Sequence, residues 1–154
     1  MGAGPSQVLV LTELATLYST ANSWLKYSSN LPSKPRSPVL IENFILALCD
    51  VGSPWRSQWK LFKSMVINRG DQLVQKWSRL EKHEWGDVFD IIKRPRLLVG
   101  GKNKVLMIGG LKSSYSLHSA WSTILILRLA SATLEWDEAG RIPSEMYLLF
   151  LDSS

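Results

Sequence analysis

Ser37-Pro38-Val39-Leu40-Ile41-Glu42-Asn43-Phe44-Ile45-Leu46-Ala47-Leu48-Cys49-Asp50-Val51-Gly52 is the stretch on which the fold turns. Its apolar residues Leu40, Ile41, Phe44, Ile45 and Leu48 recur at intervals of three and four, the period of one helix face. Ser37 can cap such a helix and Pro38 suits its first position, where no N–H is needed. Gly52 supplies a stop. The spacing therefore predicts a helix from Ser37 to about Gly52, with Cys49 as a small buried hydrophobe.

The same punctuation follows at once. Ser53 and Pro54 open a second segment that Gly70 closes, with Trp55, Trp59, Phe62 and Val66 as its inner stripe. Arg56, Lys60 and Lys63 share a neighbouring face, so this helix would dock on the core and show charge outward. Beyond it, Asp71 can cap a helix through Leu73, Trp77 and Leu80, carrying Lys76, Arg79 and Lys82 outward. A short helical turn, Asp87 to Lys93, stops before Pro95. On the N-terminal side, the Ser- and Pro-rich linker 28–37 joins a helix over about 7–27, whose face is Leu11, Leu14, Tyr18, Ala21 and Leu25.

Downstream the pattern changes. Leu97-Leu98-Val99 and Val105-Leu106-Met107-Ile108 flank a glycine-containing turn and read as a short hairpin. A helix over about 114–134 is expected, although Thr123 to Leu129 also fits a buried strand. Asp137 to Gly140 reads as a turn, and Met146 to Leu151 as either helix or strand. No internal repeat is visible. The expected fold is α+β and predominantly helical, a single globular domain over 1–154 with one short β-hairpin near 96–109 and a flexible leader at 1–6. Most of the seven tryptophans fall on inner stripes, whereas Trp85 and Trp136 sit among charges and are expected at the surface.

Charge is unevenly spread. Residues 26–112 carry sixteen Lys/Arg against seven Asp/Glu, and residues 113–154 carry two against five. Such a positive field attracts phosphate, in lipid headgroups or in nucleic acid. The candidate membrane- or phosphate-binding set is Arg56, Lys60, Lys63, Lys76, Arg79, Lys82, Lys93, Arg94, Arg96, Lys102 and Lys104. No apolar run reaches the roughly 18 to 20 residues of a membrane span, and no secretory leader is present.

A search for catalysis finds little. His83 and His118 lack ligand-spaced partners, and Glu81, Glu84, Asp87 and Asp90 read as surface ion pairs. No phosphate-cradling or nucleophile-elbow motif occurs. No enzyme activity, cofactor or metal is expected. The start Met1-Gly2-Ala3-Gly4-Pro5-Ser6 satisfies the N-myristoylation pattern, which makes Gly2 the lipidation candidate. One myristoyl chain binds membranes only marginally, and each nearby Lys or Arg adds roughly 1 kcal/mol, so the two features reinforce one another.

With that start, a compact helix-rich domain and a basic surface, the sequence resembles the myristoylated matrix proteins of enveloped viruses. The resemblance implies a structural assembly protein on an anionic membrane surface. It further implies self-association, contact with nucleocapsid or RNA, and a place at the cytoplasmic inner face of a membrane or in a virion. The alternative is a nucleic-acid-binding module in which Lys93-Arg94-Pro95-Arg96 and the Lys102/Lys104 turn contact phosphates.

Overall fold

A computed structural model describes residues 8–19, 23–42, 44–65, 74–82, 85, 88–111, 123–130 and 133–142. It is built of strands. Sheet one has the order β1 (Leu9–Leu11), β2 (Ala15–Ser19), β3 (Trp24–Ser29) and β7 (Val74–Gln75). Sheet two is β4 (Arg36–Ile41), β5 (Phe44–Asp50), β6 (Trp59–Met65) and β8 (Ser78–Leu80). Sheet three is β9 (Ile92–Gly100), β10 (Lys104–Leu111), β11 (Thr123–Leu129) and β12 (Trp136–Ile142). Neighbours pair antiparallel except the short β3–β7 pair, which is parallel. One four-residue helix, α1 (Val88–Ile91), precedes β9.

The first strand of each sheet lies beside the first strand of the next: β1 touches β4, and β4 runs along β9. Four-stranded sheets stacked face to face, with their first strands side by side, have the build of successive β-propeller blades. The predominantly helical expectation is thereby corrected. The expected helix at 7–27 is β1, β2 and β3, the one at 37–52 is β4 and β5, and the one at 54–70 yields β6. The expected helix through Leu73 to Leu80 yields β7 and β8, and Asp137 to Gly140 is strand rather than turn. Within the expected helix 114–134, Thr123–Leu129 is a strand. The segment 146–151 lies outside the described residues. The hairpin sought near 96–109 is one member of an all-β array, not an appendage to a helical body.

Sheet two explains why its sequence looks helical. Val39, Ile41, Leu46, Leu48 and Leu61 point towards sheet three and pack with Leu97, Met107, Leu125 and Leu127. Leu40 and Ile45 point the other way, onto Leu9 and Tyr18 of sheet one, while Cys49 packs with Leu31 and Phe62. Both faces are covered, so β5 is apolar at consecutive positions and shows no alternation. A short apolar run of that kind has no period that separates strand from helix. Ile41 and Phe44 pair with each other, and Glu42, which follows Ile41, has the positive φ of 49° that tight hairpin turns use.

Ser37-Pro38 is not a helix cap. It is a β-bulge, where two residues of β4 oppose only Ala47 of β5. The same device recurs in β9, where Arg94-Pro95 oppose only Gly109 of β10. Ser37 and Arg94 both take left-handed backbone, with φ of 51° and 48°. Each proline lies on a first strand, the edge of its sheet, where a missing N–H breaks no ladder. The residue opposite the second bulge must be small. A Cβ on Gly109 would stand 2.4 Å from the Ile92 side chain. The fold therefore contains a repeat at the level of structure that the sequence does not announce.

Trp85 is buried, not exposed. It donates its indole N–H to the Leu134 carbonyl at 2.6 Å and packs edge-on against Trp136, with ring centroids 6.0 Å apart. Trp24 and Trp55, assigned to inner stripes, are 59% and 95% exposed.

Candidate binding site at the junction of sheets two and three

The two bulges lie on neighbouring strands, and both turn cations toward one place. Arg36 precedes the first bulge. Lys93 precedes the second, and Arg94 is its left-handed residue. All three line a cavity of about 500 Å³ at the end of the junction between sheets two and three. Non-glycine residues in left-handed backbone cost about 1 kcal/mol or more each and concentrate where structure serves binding.

The opposite wall is the arch between β5 and β6, residues 51–58. Asp50, the last residue of β5, holds it: one carboxylate oxygen accepts the N–H of Gly52 at 2.9 Å and of Gln58 at 2.8 Å. The backbone closes beside them, with Val51 N–H donating to the Gln58 carbonyl at 2.9 Å. Inside the arch, Arg56 N–H donates to the carbonyl and the hydroxyl of Ser53, each at 3.2 Å. Gly52 is needed for this closure because a Cβ there would come within 2.1 Å of the Arg56 carbonyl oxygen. The arch presents Trp55 and Arg56 to solvent, and α1 contributes Phe89 as an apolar side of the cavity.

The electrostatics of the cavity are lopsided. Arg36 stacks on Trp59, its guanidinium 4.5 Å from the ring centroid. Its pKa is lowered, first by loss of solvent around it and then by the like charges of Arg96 and Arg94, with Asp50 opposing. Burial alone would raise the Asp50 carboxyl. The bonds from Gln58, Gly52 and Ser57, with Arg36 nearby, instead hold it below the ordinary carboxylate range. Arg36, Arg56, Lys93 and Arg94 line the cavity with a single carboxylate, Asp50, which the arch engages, and Lys93 also donates to the Asp90 carbonyl at 3.0 Å. The arrangement suits an anionic group beside an apolar one.

The other basic residues of the expected set do not line this cavity. Lys60 and Arg79 pair with Glu81 at 3.0 and 3.3 Å. Lys63 sits over the Phe44 ring, and Lys82 donates to the Thr133 carbonyl at 2.7 Å. Lys76 is exposed and its carbonyl accepts the Ser64 hydroxyl. Lys102 and Lys104 lie at the β9–β10 turn, the far end of β9 from Lys93. Arg96 is exposed on β9 and acts on Arg36 through its charge. Gly2, His83, Glu84, Asp87 and His118 lie outside the described residues. Sequence reading missed Arg36, Asp50, Trp55 and Phe89 as site residues. The signal available was the pair of Pro-containing basic stretches, Arg36-Ser37-Pro38 and Lys93-Arg94-Pro95, which mark equivalent edge bulges.

Fold and site together define a β-sheet array of propeller-like build with a cationic, tryptophan-flanked mouth. The chain is 64% identical over 154 residues to SKP1-interacting partner 15 of Arabidopsis thaliana, an alignment covering 97% of this chain and 41% of that protein. The chain thus spans about two fifths of the length of this curated relative. No family model matches it, and no solved structure matches it.

That likeness to a plant protein overturns the viral matrix resemblance, and with it the myristoylated, virion-forming, membrane-assembly expectation. Anionic membrane and nucleocapsid or RNA as partners fall with it, because the relative is named for interaction with another protein. No helix among the described residues is long and apolar enough to cross a membrane.

Proposed function

We propose that the chain is part of a non-catalytic SKP1-interacting protein and that its β-sheet array serves as a protein-recognition scaffold. The observation that carries this reading is the mouth itself. A tryptophan 95% exposed stands beside an arginine cluster on an arch closed by the Asp50 carboxylate. Tryptophan and arginine dominate the energetics of protein interfaces. The identity with SKP1-interacting partner 15 supports the partner class.

The non-catalytic part rests on chemistry. The one carboxylate of the cavity accepts two backbone N–H bonds and is held in its charged form, so it is a poor proton acceptor for a substrate. Cys49 is fully buried, and burial pushes its thiol up, away from the nucleophilic thiolate.

The test is assembly with SKP1. The tagged protein carrying this chain is mixed with purified SKP1 and resolved by size exclusion. A co-eluting complex is the expected result, and separate elution at micromolar concentrations overturns the reading.

A further inference from the structure

We propose that the mouth between sheets two and three binds an acidic segment of a protein partner, seating a carboxylate or phosphate among Arg36, Arg56 and Lys93 with an apolar neighbour against Trp55. This names the ligand of the recognition site proposed above and rests on that reading.

Three independent features converge on it. The first is charge. Loss of solvent around Arg36, and then the like charges of Arg96 and Arg94, disfavour its cation, with Asp50 opposing. An arriving anion relieves the repulsion, which is a gain made only on binding. The second is geometry. Arg36 stacks on Trp59, which favours one orientation of its planar fork before a ligand arrives and reduces the rotamer freedom lost on pairing. The third is the backbone. Two equivalent bulges, each with a left-handed residue, place Arg36 and Lys93 on adjacent strands facing the same cavity. A packed fold retains two such costs on neighbouring strands when something is gained from the side chains they aim.

Dimensions choose the ligand. A cavity of about 500 Å³ admits one or two side chains, not a duplex groove or a headgroup layer. Trp55 and Phe89 supply apolar surface beside the cations, which a free inorganic anion would leave unused. An acidic residue next to a leucine- or valine-like one satisfies both walls. Arginine clusters recognise acidic and phosphorylated peptide motifs in this way.

The experiment uses the full chain and an array of paired synthetic peptides, each pair differing only by Glu→Gln and Asp→Asn, with a phosphoserine version of each. Acidic and phosphorylated members should bind at least tenfold better than their amide counterparts as a class. The preference of Glu over phosphoserine, or the reverse, identifies which anion the mouth was built for. The tightest pair is then measured by fluorescence anisotropy against Arg36→Met, Arg56→Gln and Trp55→Ala. Each should weaken binding five-fold or more, and Lys104→Gln, at the far end, should leave it unchanged.

Equal binding of acidic and amide peptides, or an equal loss from Lys104→Gln, overturns the proposal. Unfolding midpoints of the variants guard against misfolding, since Arg56 and Trp55 lie in an exposed arch whose loss leaves the core intact. Failure of the peptides with SKP1 assembly retained sinks this inference alone. Failure of SKP1 assembly with acidic-peptide binding retained sinks the broader reading and spares the site.

Discussion

Strand β5 and the arch that follows it are adjacent in sequence and opposite in physics. From Ile45 to Cys49 each residue is at most 1% exposed, packed between sheets one and three. From Gly52 to Gln58 the chain is exposed throughout, and its shape depends on Asp50 and a few backbone bonds. The first region derives its stability from apolar area removed from water. The second derives its form from hydrogen bonds and a steric requirement for glycine. Stability and recognition are thus assigned to neighbouring pieces of one hairpin.

The largest break in that contrast is expected from Leu48→Ala. Leu48 is fully buried against sheet three, and truncation there should cost about 3 kcal/mol, read as a lower urea midpoint at unchanged slope. A smaller loss would mean that the two sheets do not pack as described. Gly52→Ala comes next. Its Cβ would collide with the Arg56 carbonyl and the Gln58 nitrogen, both backbone, so the arch must open. A cost of about 2 kcal/mol is expected, together with loss of the cavity. Wild-type stability and an unchanged Trp55 fluorescence spectrum would contradict the arch geometry.

Asp50→Asn should cost less, about 1 kcal/mol at neutral pH, because an amide oxygen can still accept the two N–H bonds but without charge. Its pH dependence has a definite sign. The folded carboxyl titrates below its ordinary value, so its contribution is full above the unfolded value of about 3.9 and disappears as pH falls through the folded value. The difference between wild type and Asp50→Asn should therefore close in acid and be constant from pH 5 to pH 8. A gap that widens on acidification would reverse the assignment. Smallest of all is Trp55→Ala on stability, within about 0.5 kcal/mol, because its ring is almost wholly in water.

The sequence was legible where a strand stood half-exposed or a turn carried glycine, as at Gly100-Gly101. It misled where both faces of a sheet are buried, because Leu40, Ile41, Phe44, Ile45 and Leu48 then mimic a helix face by accident of complete burial. Ser-Pro punctuation was misread for a related reason. A proline lacking an N–H is at home at a helix start and equally at an edge-strand bulge, and only the pairing partner, Ala47 or Gly109, tells which. The basic character of the middle of the chain was visible at once. Which cations converge was not, because Arg36 and Lys93 are 57 positions apart and meet only through the contact of β4 with β9. Trp55 looked like core because it begins an apolar three-four spacing, yet it caps a loop.

The most direct test of the central claim, that the arch and the two bulges form one recognition mouth on an inert scaffold, is a nuclear magnetic resonance titration of the full chain with the tightest acidic peptide, following tryptophan indole and arginine side-chain N–H signals. The account predicts shifts at Trp55, Trp59, Arg36 and Arg56, with Trp77 and Trp85 unmoved. Shifts centred on the Lys102–Lys104 turn, or spread evenly over all of these indoles, would contradict it.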